Sequence, residues 1–343
     1  MDRIALISYY FLDTDGVGSA RARYIDKILK TRGNDISYFT RTQWGKYAYK
    51  RKLIWILFCI YHLVNQKNIK TVYITCGPFW HLFIISLVCK IFNKRLIVDF
   101  RDPWSLNIKN GYGSTNYKFK AIKLHVAEFI EKFTYKNCCY FWVCTSGMEK
   151  GYGRLFGDSE KILFIPNGFD INAEAFTNII NKRDSNKNNV NIVCLGKFAE
   201  YGYEEARKKL IYLKESFSKE KIKITFIGSD LILHQKLICE VGLNNQVEFI
   251  EKRPYFEALE IAASHDIGIC LVRNEEIEFG TKMYDYIALE IPVYDWFEDN
   301  KEFKIYFRSF LTKSAGEKVD FSKKNLYSRE RIFLSYISLI DNK

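Results

Sequence analysis

The stretch FGTKMYDYIALEIPV, residues 279–293, reads as a glycine turn, a short helix and a buried strand opened by a proline. Lys282 and Asp285 lie three residues apart at the mouth of that helix, so both point to the same side of its first turn. The free N–H groups and positive dipole end of a helix start attract phosphate, and Lys282 adds a point charge. A carboxylate beside them can accept both hydroxyls of a ribose. The combination points to a pocket for a nucleotide diphosphate. The competing reading is an ordinary αβ unit with a solvated Lys–Asp pair.

Outward from this stretch, short β-branched or aromatic runs alternate with longer amphipathic ones. Strands are expected at 3–8, 35–40, 71–75, 95–100, 139–145 and 161–165, with helices at about 17–32, 49–66, 79–92 and 118–136. After the polar run NKRDSNKNN (181–189) the alternation starts again, with strands at 191–195, 223–228, 246–250 and 266–272. Such a restart marks two α/β domains in tandem. The division expected is an N-terminal domain over 1–175, a linker over 176–190, a C-terminal domain over 191–325 and a final helix over 326–343. That last helix carries Ile332, Phe333, Tyr336 and Ile337 on one face. Pro78, Pro103, Pro166 and Pro254 each follow an expected strand by a few residues, and Pro292 opens one. In open parallel sheets, ligands bind at the loops after the carboxyl ends of strands.

With 343 residues there is length for two domains of ordinary size. A hydrophobic content of 48% excludes a disordered chain, and a net charge of +12 favours an anionic partner, whether nucleotide, phospholipid surface or nucleic acid. The nine cysteines show no metal-ligand spacing and fall mostly in apolar runs, as in a reducing compartment. The opening MDR leads straight into a strand-like run, and no apolar stretch is long enough for a spanning helix. The expectation is a cytoplasmic protein.

Three further segments carry chemistry. Gly16 and Gly18 precede a helix, where glycines let the backbone approach a phosphate. A dinucleotide fingerprint needs a third glycine where Arg21 stands, so a dehydrogenase is not expected. The run RLIVDFRDPWS (95–105) crowds Asp99, Arg101 and Asp102 at a strand end. An aspartate there can orient or deprotonate an acceptor hydroxyl, or it can cap the next helix or pair with Arg101. His81 in GPFWH falls within the first turn of a helix, a position more often structural than catalytic. In the second half, Lys197 ends the first strand, and Glu275, Glu276 and Glu278 form an acidic run before the opening stretch.

Taken together, these segments resemble the glycosyltransferases of the two-domain GT-B fold, most closely glycosyltransferase family 4. GPFWH with LIVDFRDPW is similar to the acceptor-domain pattern of bacterial cell-surface polysaccharide transferases. IPNGFD is similar to the family's segment at the domain junction, and GTKMYDYIALEIPV to its nucleotide-binding helix. The resemblance implies an α/β protein of two facing Rossmann-like domains, with a C-terminal helix crossing back to the N-terminal domain. It implies transfer of a sugar from a nucleotide-sugar donor to a saccharide or lipid-linked acceptor in surface polysaccharide biosynthesis. It implies retention of configuration, with no metal and no cofactor. Gly16 and Gly18 would approach the donor diphosphate and acceptor, and Lys197 and Lys282 would neutralise the leaving group. Asp285 would bind the ribose and Asp102 would line the reaction centre, with Arg101 beside it and His81 and Glu278 as further catalytic candidates.

Two departures stand out. The family pattern has two glutamates separated by seven residues, whereas six lie between Glu278 and Asp285. The usual Arg–Lys pair after the first strand of the C-terminal domain is reduced to Lys197. The rival readings are therefore a non-catalytic nucleotide-sugar-binding relative and, on charge alone, a nucleic-acid binder, for which no binding motif is present. Lys46, Lys50, Arg51 and Lys52 precede the apolar run LIWILFCIYHLV (53–64). They suit docking on an anionic membrane surface at the inner face of the plasma membrane, or else flank a buried helix.

Overall fold

The computed structural model describes residues 2–12, 17–40, 52–111, 119–157, 160–170, 173–181, 183, 189–217, 221–272, 274, 277, 280–294, 307–308 and 319–341. The chain divides into two compact units, Met1–Asn167 with Arg329–Lys343, and Gly168–Ser328.

Unit 1 runs β1 (Arg3–Ser8), α1 (Val17–Thr31), β2 (Asp35–Thr40), α2 (Lys52–Asn65), β3 (Ile69–Cys76), α3 (Leu82–Ile91), β4 (Arg95–Phe100), α4 (Trp104–Lys109), α5 (Lys120–Asn137), β5 (Tyr140–Val143), α6 (Ser146–Phe156) and β6 (Ile162–Phe164). Its six described strands are all parallel, in the order β2-β1-β3-β4-β5-β6. Helices covering both faces explain the near-continuous apolar runs: β1 and β4 are buried from their second residue onward. Helix α6 starts where Thr145 caps it, its hydroxyl accepting from the Met148 N–H at 3.0 Å.

Unit 2 contains α7 (Thr177–Asn181), β7 (Asn189–Leu195), α8 (Tyr203–Ser216), β8 (Lys221–Ile227), α9 (Leu231–Val241), β9 (Val247–Ile250), α10 (Tyr255–Ala263), β10 (Ile267–Ile269), α11 (Lys282–Ala288), β11 (Val293–Tyr294) and β12 (Phe307–Arg308). Its parallel strands lie in the order β12-β11-β10-β7-β8-β9. That is the doubly wound 3-2-1-4-5-6 order, whereas unit 1 begins in the flavodoxin-like order. The expected alternation of strands and helices is present in both halves. The segment read as a linker opens with the short helix α7.

The chain finishes with α12 (Arg329–Tyr336) and α13 (Ser338–Asp341), which belong to unit 1. Ile332, Phe333, Ile337 and Ile340 are buried there with Leu6, Tyr24, Ile25 and Trp142. Each such side chain contributes about 1.5–3 kcal/mol of burial. Polar ties fix the arrangement: Arg95 donates to the Leu339 carbonyl at 3.0 Å and Arg32 pairs with Asp341 at 2.5 Å. The apolar face expected of the last helix is the face that docks.

Candidate functional site

In unit 2 the strand order reverses between β7 and β10, and ligands of open α/β sheets bind outside the carboxyl ends of strands at such a point. β7 ends at Leu195, and Gly196 turns the chain at φ 62°, a left-handed conformation that suits glycine. Lys282, the first residue of α11, extends over this turn. A Cβ placed on Gly196 would lie 3.8 Å from Lys282 Nζ. The Lys282 ammonium donates to the Lys197 carbonyl and stands 5.7 Å from the centroid of the Tyr201 ring. Lys197 itself is exposed. The structure thus brings Lys197 and Lys282, 85 residues apart in sequence, to the same strand end.

Tyr286 holds α11 in place. Its ring is fully buried, and its hydroxyl accepts from the Leu195 N–H at 3.0 Å while the Val193 and Ile269 carbonyls lie at 3.2 and 3.1 Å. It threads between β7 and β10, which is possible because Gly268 has no side chain. A Cβ at that position would sit 2.9 Å from the ring. A glycine inside an apolar strand signals such a close approach. The residue before it on α11, Asp285, accepts from the Tyr255 hydroxyl at 2.6 Å. Tyr255 begins α10 and did not figure in the sequence reading.

The loop after β7 is stiffened by a second group that sequence reasoning missed. The Glu200 carboxylate accepts from the Phe198 N–H at 2.8 Å and from the Asp230 N–H at 3.0 Å. Partial burial works to raise its pKa, but these backbone donors prevail and hold it below the usual range. His234, fully buried, faces the Asp230 carbonyl with Nδ1 at 2.7 Å and accepts from the Ala199 N–H with Nε2 at 3.2 Å. The loops after β7 and β8 are therefore tied to each other.

In unit 1 the reversal lies between β1 and β3. Gly18, Arg101 and Asp102 gather there. Arg101 donates to the Gly18 carbonyl, and a Cβ on Gly77 would lie 3.7 Å from Arg101 Nη2 and 3.9 Å from Asp102 Oδ2. Asp102 is exposed beyond the end of β4. Asp99, one residue before the end of β4, is fully buried and has a different task. Both its oxygens accept from Arg21, at 2.9 and 2.8 Å, and the Tyr73 hydroxyl donates to it at 2.6 Å. Arg21 also donates to the Ile165 and Pro166 carbonyls at 2.8 and 3.0 Å, anchoring the loop after β6 to α1. Burial opposes the charge on Arg21, yet Asp99 raises its pKa well above the ordinary value. Burial and the neighbouring Asp99 likewise raise the Tyr73 hydroxyl.

His81 precedes α3 and is fully buried, edge-on to Trp55 and Trp80 with centroids at 5.1 and 5.3 Å. Among the described residues, neither ring nitrogen has a hydrogen-bond partner. Burial lowers its pKa to about 3, so the ring is neutral. Of the other residues singled out in the sequence, Gly16, Glu275, Glu276 and Glu278 lie outside the described residues, as do Lys46, Lys50 and Arg51. Among the described residues, no three His, Cys, Asp or Glu side chains cluster as a set of metal ligands.

No protein-family model matches the chain, and no curated protein matches it in sequence. Solved structures do match in fold. The lipopolysaccharide outer core galactosyltransferase WaaB superposes with a TM-score of 0.67 at 12% identity, over 99% of each chain. HepE from Anabaena, solved in complex with UDP-glucose, gives 0.53 at 15% identity over 85% of this chain and 80% of its own. A UDP-GlcNAc 2-epimerase from Methanocaldococcus jannaschii gives 0.54 at 12% identity over the whole of both chains. At these identities the likeness establishes the architecture: the chain has the two-unit α/β fold that the GT-B glycosyltransferases share.

Proposed function

We propose that this protein is a glycosyltransferase that moves a sugar from a nucleotide diphosphate sugar to a saccharide or lipid-linked saccharide, in the manner of glycosyltransferase family 4. The observation that carries the reading is the placement of Lys282. It overhangs the Gly196 turn at the strand reversal of unit 2, with Asp285 one turn further along α11. Lys282 and Lys197 would meet the diphosphate and offset the charge that develops on it as the glycosidic bond breaks. Asp285, oriented by Tyr255, would accept the ribose hydroxyls. The Gly196 turn leaves room for Lys282 across the strand end, and Gly268 leaves room for the Tyr286 ring that seats α11. The fold likeness to WaaB and to HepE, solved with UDP-glucose, supports the same assignment.

Unit 1 would meet the acceptor. Asp102 is exposed at the corresponding reversal of its sheet, beside the guanidinium of Arg101. There it would orient or deprotonate the acceptor hydroxyl, or stabilise positive charge on the departing sugar. Basic side chains on the leaving group would let the reaction run without a metal, with retained configuration and a product in a surface polysaccharide. Asp99 is not assigned a chemical role, because its oxygens are already engaged by Arg21 and Tyr73.

The test is a nucleotide panel by thermal shift, since a ligand that binds only the folded state raises its melting temperature. UDP or GDP, and their sugars, should stabilise the protein while adenosine monophosphate does not. Release of the nucleoside diphosphate in the presence of a saccharide acceptor should follow. Binding without turnover would identify a non-catalytic nucleotide-sugar-binding relative, consistent with the shortened spacing between Glu278 and Asp285. Conversion of the sugar without transfer would move the protein to the epimerases of the same fold.

A further inference from the structure

Exposed apolar side chains in unit 1 are concentrated on one surface. Among the described residues of this unit, all the large exposed hydrophobics except Leu12 and Leu334 lie on or directly beside α2, α3 and α5. These three helices are neighbours, with α3 packed against both of the others. On α2, Leu53, Leu57 and Tyr61 recur every four residues and are 74%, 63% and 63% exposed. This spacing draws a single stripe along the helix.

The polarity of α5 is inverted with respect to an ordinary surface helix. It turns Ala127, Glu131 and Thr134 inward, all fully buried, and Ile122, Val126 and Phe129 outward. Phe83 of α3 continues the outward layer, with ring centroids 5.8 Å from Phe129 and 4.7 Å from Phe133. Among the described residues of these helices, the exposed charges have one sign. Lys90 on α3 and Lys123, Lys132 and Lys136 on α5 are exposed, and the Lys90 ammonium lies 6.0 Å from the Phe133 ring centroid. Glu131 is buried and Glu128 half-buried, and α2 carries no charged residue after Lys52.

We propose that the α2–α3–α5 face of unit 1 docks on an anionic lipid bilayer. The aliphatic and aromatic side chains would enter the interfacial layer while the lysines meet headgroup phosphates. No described helix is long and apolar enough to cross a membrane, so the face lies on the surface rather than passing through it. A second copy of the chain fits less well. A two-fold contact brings the same patch against itself and would set lysine against lysine. The face is broader than the basic run before α2 that the sequence pointed to, and it stands on described residues alone.

Vesicle co-sedimentation of the full chain tests this directly, without donor or acceptor. The protein should pellet with vesicles of phosphatidylcholine and phosphatidylglycerol, and far less with phosphatidylcholine alone. The double variant Ile122→Ser/Phe129→Ser and the triple variant Lys123→Glu/Lys132→Glu/Lys136→Glu should each lower the partition coefficient by about tenfold or more. Both alter exposed side chains, and unchanged thermal unfolding would show that they fold. Failure of the wild-type chain to pellet with either vesicle, or full retention of both variants, overturns the proposal. So does a wild-type dimer in size-exclusion chromatography that Ile122→Ser/Phe129→Ser converts to monomer while neither protein binds vesicles. A protein that turns over a nucleotide-sugar yet ignores vesicles would overturn this inference and leave the proposed function standing.

Discussion

Arg21 and Asp99, 78 residues apart, form a two-point ion pair of 2.8 and 2.9 Å inside unit 1. The pair joins α1, β4 and the loop after β6, and it closes off a carboxylate that would otherwise pass for a catalytic group. Breaking a buried pair by removing one partner costs about 3–5 kcal/mol, because the remaining charge is stranded. Arg21→Met should therefore lower the urea midpoint strongly, with Asp99→Asn close behind. The double variant Arg21→Met/Asp99→Leu should recover part of the loss. An additive double variant would mean that the two residues act separately.

Lys282→Ala should leave the unfolding midpoint almost unchanged and weaken UDP binding. Hydrogen bonds to charged groups are worth about 1.5–3 kcal/mol, which is roughly tenfold or more in affinity. Isothermal titration reads the change, and equal affinity in wild type and variant would remove Lys282 from the donor site.

Asp102→Asn separates the two units' roles. Turnover should fall by about 100-fold or more, as for loss of a general acid or base, while UDP binding stays at the wild-type level. Steady-state rates beside a binding isotherm decide it, and a wild-type rate would exclude a chemical role for Asp102.

Gly268→Ala probes the seat of α11. The new Cβ would stand 2.9 Å from the Tyr286 ring, which is fully buried and pinned through its hydroxyl. Overpacking of this kind costs about 1–3 kcal/mol. The displaced helix should also bind UDP less well, although the substitution touches no ligand. Unfolding curves and titrations on one preparation test both effects together.

Glu131 links stability to pH. Burial raises its pKa from 4.5 to about 7 even though the Ser105 N–H and the Tyr152 hydroxyl donate to it at 3.1 and 2.8 Å. The folded state then holds a proton that the unfolded state has lost, so this contribution to stability is full below pH 4.5 and is lost as pH rises to about 7. The loss is on the order of 3 kcal/mol. Glu131→Gln keeps an acceptor for both donors and should flatten the pH profile relative to wild type between about pH 5 and 7. Parallel profiles would show that Glu131 does not titrate in this range.

The alternation of strands and helices was legible because a parallel sheet covered on both faces needs continuous apolar runs, and helices need their own period. β1 and β4 lie at the expected 3–8 and 95–100 and are buried from their second residue onward. The Lys282–Asp285 pair was legible for the same local reason: two residues one turn apart share a face. What escaped notice was carried by long-range pairing. Asp99 and Asp102 look equivalent in DFRDPW, yet one is enclosed by Arg21 and Tyr73 and the other is exposed past the strand end. Nothing near Arg21 announces its partner. Tyr255 and Glu200 gain their positions from residues 30 positions away, Asp285 and Asp230, which no periodicity connects. His81 precedes α3 rather than falling within its first turn, and only the packing of Trp55 and Trp80 reveals that its ring is sealed from water.

The helices α12 and α13 give the chain an order of assembly. Residues 1–167 leave the ribosome first, but the hydrophobic surface of α1 and the flank of Trp142 remain uncovered until Phe333 and Ile337 follow more than 160 residues later. The Arg21 guanidinium, 4.9 Å from the centroid of the Phe333 ring, waits equally long for its lid. Domains ordinarily fold in the order in which they are synthesised. Here the first unit begun is the last completed, and an interrupted chain is left with an open core in its N-terminal half.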